Sequence, residues 1–290
     1  MANVKDWFIS LFGLKSSKCH YPNQQLGITL FGATHCGQAR LNNEDAYYML
    51  PKIGIFAVAD GLGGPANGEI ASNLAVRRFH HSTEEASGVG GWFWPKNREV
   101  GGFDIETKMI PAILHYAIKS AQNFLLQAIQ NDPILQGMGT TFTAAIISDR
   151  TLYIAHVGDS RAYLLRRNLL MQLTDDHSYA RWLVRTGQIT SEQAKTHPGR
   201  NQLLQSLGGE AISIAHNQKP LEPGDRVLMC TDGIYNMIDE VRLRDILAQK
   251  GIGPRQVTDQ LIHEANANGG RDNMTAIVVH VDEISEFDHK

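Results

Sequence analysis

With 290 residues and 42% hydrophobic content, the chain is long enough for one large domain or two small ones around a sizeable core. Its 27 basic and 30 acidic residues nearly balance and form no Lys/Arg run, which excludes nucleic acid as the expected partner. Cys19, Cys36 and Cys230 are odd in number and form no C-x-x-C pair, which argues against a disulfide framework or a zinc ribbon; no apolar run approaches the roughly 20 residues of a bilayer span and the start carries no signal-peptide pattern, so a cytoplasmic monomer is expected.

Residues 4–14 have the spacing of a short amphipathic helix. Being short and not basic, it is expected to dock on its own domain, with a membrane surface as the other reading. A polar connector runs to residue 25, closing an N-terminal extension over 1–25. One domain is then expected over 26–283. It opens with alternating β-formers at 26–33, a polar bend at 38–45, and a hairpin of 46–50 and 53–59 that ends on Asp60. Past Gly63, Gly64 and Pro65, residues 66–80 have helical spacing at Ile70, Leu74, Ala75 and Phe79. A Gly- and Trp-rich loop at 82–105 follows, with Trp92 and Trp94 either folded back on the domain or presented to a partner. Helical spacing returns at 106–130, with Ile110, Ile113, Leu114, Ala117, Ala121, Leu125 and Ile129 on one face.

The middle reads as an antiparallel meander over 140–148, 151–157, 160–166 and 169–173, with tight turns at Asp149-Arg150, Gly158-Asp159 and Arg167-Asn168. A polar insertion at 178–200 carries two short helices, at 179–186 and 191–197. Strands are expected again at 202–207, 211–216 and 225–231, then helices at 239–249 and 254–268 and a last strand at 274–281. Strands and helices segregate along the chain. The fold class is therefore α+β, an antiparallel β-sandwich with helices packed outside it.

Three apolar strands abut an aspartate beside a glycine: Asp60-Gly61 after 56–59, Asp232-Gly233 after 226–231, and Gly270-Arg271-Asp272 before 274–279. Each pair by itself reads as turn chemistry. Three such acids converging on one sheet edge would repel strongly without a cation, and oxygen donors without a His/Cys cluster favour Mg²⁺ or Mn²⁺. A shared aspartate holding two ions about 3.5–4 Å apart would activate a water for in-line attack at phosphorus. Arg40, close to Glu44 and Asp45, offers a planar fork for phosphate oxygens, or is an ordinary surface arginine.

Further motifs surround these residues: RLNNED at 40–45, VADGLGG at 58–64, GEIAS at 68–72, GTT at 139–141, VGDSRAY at 157–163, LTDDHS at 173–178, LMCTDG at 228–233 and GRDNMT at 270–275. In this order, over residues 26 to 282, they resemble the metal-dependent protein serine/threonine phosphatases of the PPM (type 2C) family, in their bacterial single-domain form. The resemblance implies a β-sandwich flanked by helix pairs, with metal ions at one end, and hydrolysis of phosphoserine and phosphothreonine opposing a Ser/Thr kinase. It implies that Asp60 bridges two Mn²⁺ or Mg²⁺ ions, that the Gly61 carbonyl binds the first, and that Asp232 and Asp272 bind the second. Glu44 would hold a water of the first ion, Asn273 would brace the metal shell, and Arg40 would clamp substrate phosphate. A third ion would sit on Asp159 and Asp232, and 178–200 would be a flap over the site.

Other residues in these motifs read more plainly. The hydroxyls of GTT, Ser160 and Ser178 lack a general base. His177 reads as a helix-start neighbour, with proton transfer as the sharper alternative. Cys230 reads as buried packing. Leu62 stands where some family members have a histidine thought to protonate the leaving group, which leaves the general acid open. A binding module that keeps the fold without catalysis, and a two-metal hydrolase of small phosphate esters, are the competing functions.

Overall fold

The computed structural model describes residues 17–20, 26–51, 54–63, 67–87 and 103–283; the 4–14 segment and the Trp92/Trp94 loop lie outside the described residues. Its strands are β1 (Ser17–His20), β2 (Leu26–His35), β3 (Asp45–Leu50), β4 (Ile55–Leu62), β5 (Gly139–Thr140), β6 (Phe142–Ser148), β7 (Thr151–Val157), β8 (Arg161–Arg166), β9 (Leu169–Gln172), β10 (Ala215–Pro220), β11 (Arg226–Cys230) and β12 (Met274–Glu283). Its α-helices are α1 (Asn67–Ser87), α2 (Phe103–Asn131), α3 (Tyr179–Arg185), α4 (Ser191–Lys195), α5 (Asp232–Tyr235), α6 (Glu240–Leu247) and α7 (Pro254–Ala267). One sheet runs β1-β2-β12-β11-β8-β9 and the other β10-β7-β6-β4-β3, with β5 added beside β4. Every pairing is antiparallel.

Strand alternation divides the apolar residues among three layers of core. Phe56, Val58, Ala145, Ile154, Leu164, Val227, Met229, Ile277 and Val279 meet between the sheets. Their strand neighbours point outward under helices: Ala57, Ala59, Ala144 and Ala155 under α1 and α2, and Tyr163, Leu228, Cys230, Ala276 and Val278 under α6 and α7. Strands buried on both faces explain why these segments read as near-continuous apolar runs. The hairpin turns predicted at Asp149-Arg150 and Arg167-Asn168 put all four residues at positive φ, from 45° to 64°, the backbone that two-residue connections favour.

The structure departs from the sequence reading at several elements. Residues 202–207 are not a strand, Leu203 and Leu207 making only isolated bridges, to Ser178 and Thr140, and the strand expected at 211–216 lies four residues later, as the edge strand β10. Its sequence, AHNQKP, is mostly exposed, so apolar content did not mark it. Pro220 sits at its end, on an edge where the missing N–H costs no ladder bond. Helix α1 continues to Ser87 and α2 begins at Phe103, so the loop expected over 82–105 is helical at both ends. The buried stripe of α1 is Ala71, Ala75, Val76 and Phe79, whereas Ile70 stays exposed. Within the expected N-terminal extension, Ser17–His20 pairs with residues 27–30 and widens the first sheet.

Candidate metal centre

At one end of the sandwich, Arg40, Glu44, Asp60, Gly61, Asp159, Asp232 and Asp272 line a single open cleft of about 560 Å³. All the metal-ligand and clamp residues expected from sequence are thus brought together, and Asn273 stands directly behind them. The hairpin was expected to end on Asp60, but β4 runs two residues further because Gly61 and Leu62 pair with Thr140 and Gly139. Asp60 therefore lies inside a sheet, held on both sides. Its N–H donates to Thr141 Oγ1 at 3.0 Å, and its carbonyl accepts from the Thr141 N–H at 2.9 Å and the Thr140 hydroxyl at 2.9 Å. Gly61 is a glycine for a steric reason: a Cβ there would run into the Gly68 backbone at the start of α1 and the Glu44 carbonyl.

Across the β3–β4 ladder, Asp45 stands directly opposite Asp60. Like charges facing one another in a sheet are destabilising, and here Asp45 is buried and Asp60 half-buried. Burial, then the charges of Asp45, Asp232, Asp159 and Asp272, push the Asp60 carboxyl far above the usual carboxylate range. Burial raises Asp45 to about 7 against the hydrogen bonds it accepts from the Thr275 and Thr231 hydroxyls, at 2.6 and 2.8 Å. Its other oxygen, Oδ1, is buried with no hydrogen-bond partner among the described residues. Burial and the Asp272 charge raise Asp232 to about 6, held down by Arg40, Arg161 and a hydrogen bond shared with Asp60. Asp159 is raised by burial and then by Asp232 and Asp176.

Such a cluster has one of two remedies, protons or a multivalent cation. The donor set is all oxygen, which fits Mg²⁺ or Mn²⁺. Among the described residues no three His, Cys, Asp or Glu side chains are close enough to hold an ion by themselves. An arrangement of carboxylates supplemented by water and a backbone carbonyl is how Mg²⁺ is commonly bound.

Arg40 crosses the mouth of the cleft. Its Nη2 donates to Asp272 Oδ2 at 2.7 Å, with the two side chains 49% and 35% exposed. That contact takes a single N–H of the five that a guanidinium offers. The Arg40–Glu44 loop is fixed from behind by Asn273, whose Oδ1 accepts from the Glu44 N–H at 2.7 Å. The Asn273 Nδ2 donates to the Cys36 and Asn42 carbonyls at 2.8 and 2.9 Å. The brace expected of Asn273 is thus a brace of the loop backbone.

Sequence reasoning passed over Asp45 and the polar chain behind the cleft. The hydroxyls of Thr141 and Ser160 meet at 2.6 Å, the Thr143 hydroxyl donates to the Ser160 carbonyl at 2.9 Å, and Thr143 Oγ1 meets His156 Nδ1 at 2.9 Å. Burial, helped by neighbouring His177, pushes His156 down to about 3, so it stays neutral. The available signal was a threonine or serine at a buried strand end, a hydroxyl that needs a partner wherever it is dry. His177 is a clasp: its N–H donates to the Gly158 carbonyl, its Nδ1 accepts from the Gly158 N–H, and its carbonyl accepts from the Leu204 N–H. The turn carrying Asp159 is thereby tied to the segment that follows the flap. Arg161, ion-paired to Asp176 at 2.6 Å, lies over the Tyr235 ring, and the Tyr235 hydroxyl donates to the Asp159 carbonyl at 3.0 Å. Ser178 caps α3, and Cys230 is fully buried, its thiol pushed up by that burial.

Comparison with known proteins adds an independent line. The family described as Protein phosphatase 2C matches residues 32–269. The serine/threonine phosphatase stp of Listeria welshimeri is 35% identical over 250 residues, covering 85% of this chain and 93% of that protein. The crystal structure of the Mycobacterium tuberculosis serine/threonine phosphatase PstP/Ppp superposes with a TM-score of 0.76 at 30% identity, over 88% of this chain and 99% of the other. A structure of the PstP catalytic domain in complex with two manganese ions superposes with a TM-score of 0.73 at 29% identity, over 89% and 100%.

Proposed function

We propose, from the premise that this chain belongs to the protein phosphatase 2C (PPM) family, that its carboxylate cleft hydrolyses phosphoserine and phosphothreonine in proteins with two Mn²⁺ or Mg²⁺ ions. The chain is a protein serine/threonine phosphatase of that family, with the family's mixed fold of helices and antiparallel sheets. The observation that carries the finer reading is the crowding of four carboxylates, Asp45 and Asp159 buried and Asp60 and Asp232 half-buried, each pushed upward by desolvation and then by its neighbours' charge. A cleft built this way at an open end of a sandwich is a cation site before it is anything else.

In this reading Asp60 and the Gly61 carbonyl would hold one ion, and Asp232 and Asp272, with Asp60, the other. Bound there, such ions would supply Lewis acidity toward the phosphoryl oxygens and a water of lowered pKa. The protein's part is placement. Thr140 and Thr141 fix the Asp60 backbone, Asn273 fixes the loop bearing Arg40 and Glu44, and Arg40 turns its free N–H groups to two phosphate oxygens. Glu44 orients water beside Gly61, whose N–H donates to the Glu44 carbonyl at 3.1 Å. Asp159, beside Asp232 and tied to the flap through Gly158 and His177, is the candidate ligand of a third, weaker ion. The substrates are products of ATP-dependent phosphorylation of hydroxyl side chains, so a Ser/Thr kinase is the opposing activity, and a cytoplasmic monomer is the form proposed. Among the described residues no helix is long and apolar enough to cross a membrane.

The test is hydrolysis of p-nitrophenyl phosphate and of a phosphothreonine peptide in EDTA, Mg²⁺ or Mn²⁺, with Asp232→Ala as the blank. Turnover is expected only with metal and is expected to vanish in the variant. A folded protein inert in Mn²⁺ would refute the reading.

A further inference from the structure

The cleft that holds the carboxylates has a second wall. Besides its charged floor it is lined by Leu41, Leu62 and Leu203, with Asn201 among them. Leu41 is 100% exposed, the most exposed large apolar side chain among the described residues, and it directly follows Arg40 in the chain. Leu62 and Leu203 are half-buried, and Leu203 belongs to the segment bridged to Ser178 at the base of the flap.

A single exposed leucine needs no explanation. Three that line one cleft, beside an arginine suited to phosphate, are a different case. Capture and hydrolysis of the phosphate itself need no apolar wall. Successive Cα atoms of a chain lie about 3.8 Å apart. A side chain adjacent to Arg40 is therefore within reach of the residues immediately flanking a phosphoamino acid whose phosphate Arg40 holds, and not of residues far along the substrate.

We propose that Leu41, with Leu203 and Leu62, forms an apolar subsite that selects phosphoprotein segments carrying an aliphatic side chain next to the phosphoserine or phosphothreonine. The inference rests on the phosphatase reading above and names its substrate class. Leu41 joins the cleft lining from the Arg40 loop and Leu203 from the flap's downstream segment, so the apolar lining is contributed by two separate stretches of chain. The gain is made in the bound complex and retained through the chemical step, so it is expected in KM with little change in kcat.

Two phosphothreonine peptides, identical except for leucine or serine on either side of the phosphothreonine, test this with Mn²⁺ present. The wild type is expected to favour the leucine peptide by about tenfold in kcat/KM, the low end of what one aliphatic contact discriminates. Leu41→Ser is expected to bring that ratio close to one through KM, and Leu41→Met to restore most of it. Leu41 packs against nothing that folding requires, so these variants report on binding. A wild-type ratio near one, or a ratio unchanged in Leu41→Ser, would overturn the subsite while leaving the phosphatase standing. Failure of the wild type to turn over either peptide would bring down the phosphatase reading, and the subsite with it.

Discussion

Asn273 makes three hydrogen bonds from one buried side chain to three backbone groups of the segment that carries Arg40 and Glu44. Truncation to alanine strands the Glu44 N–H and two carbonyls, at a cost of about 2–3 kcal/mol, and frees the loop that aims Arg40. Asn273→Ala is expected to lower the denaturation midpoint and to raise KM for phosphopeptide, both measurable on one preparation; a KM unchanged alongside lost stability would mean that the brace serves the fold alone. Thr141→Val keeps the shape but removes the oxygen that accepts from Asp60 N–H and meets Ser160. A Mn²⁺ titration should show weaker metal binding in that variant, since the Asp60 backbone loses one of its fixed partners. Arg40→Ala, by contrast, is expected to weaken phosphopeptide binding far more than Mn²⁺ binding, and a titration with the opposite order would refute the clamp.

At the scale of elements, what the sequence made legible is what packing makes loud. Strands β4, β6, β7, β11 and β12 are apolar on both faces because a sheet or helix covers each, and their positions were read to within two or three residues. The edge strand β10 was placed four residues early because most of its side chains face water and only its backbone, paired to β7, is structural. Short α5 was missed because its four residues sit on the Asp-Gly pair that reads as a turn. The aspartates proposed as metal ligands were legible as acids abutting apolar strands, whereas Asp45 was not, since only the register of β3 against β4 places it opposite Asp60. Strand β12 also carries His280, buried with its Nε2 unpartnered among the described residues. Burial and the Arg226 charge lower it to about 4, with Asp282 pulling the other way. A histidine depressed in the folded state contributes stability above its unfolded pKa, and that contribution is lost as pH falls from about 6.5 toward 4. His280→Leu is expected to flatten the acid side of the Tm–pH curve over that range, and a limb as steep as the wild type's would exclude His280 as its source.

For the whole molecule, the carboxylate cluster works in the opposite sense. In EDTA, Asp45 and Asp232 hold protons to about 7 and about 6 that the unfolded chain releases near 4. The folded state then binds more protons at these two acids in that interval, so their contribution to metal-free stability falls as pH rises from about 4 to 7, against the histidine contribution. Scanning fluorimetry should show Mn²⁺ raising Tm above its value in EDTA by more at pH 7.5 than at pH 5, a difference from which the histidine contribution, common to both conditions, drops out. A Mn²⁺-induced rise in Tm that stays flat across this range would mean that the acids are neutralised some other way. The same architecture has a temporal side. Strand β2, near the start of the described fold, lies beside β12, with Leu26 against Glu283. The last strand also delivers Thr275 to Asp45, and the turn before it delivers Asp272 and Asn273 to the cleft. During synthesis, β2 waits for nearly the whole domain to leave the ribosome before its central partner exists, while the hairpins of the second sheet close as they emerge. The chain therefore has no phosphatase centre at any stage of its translation until the final strand is in place, and a nascent chain cannot dephosphorylate its neighbours.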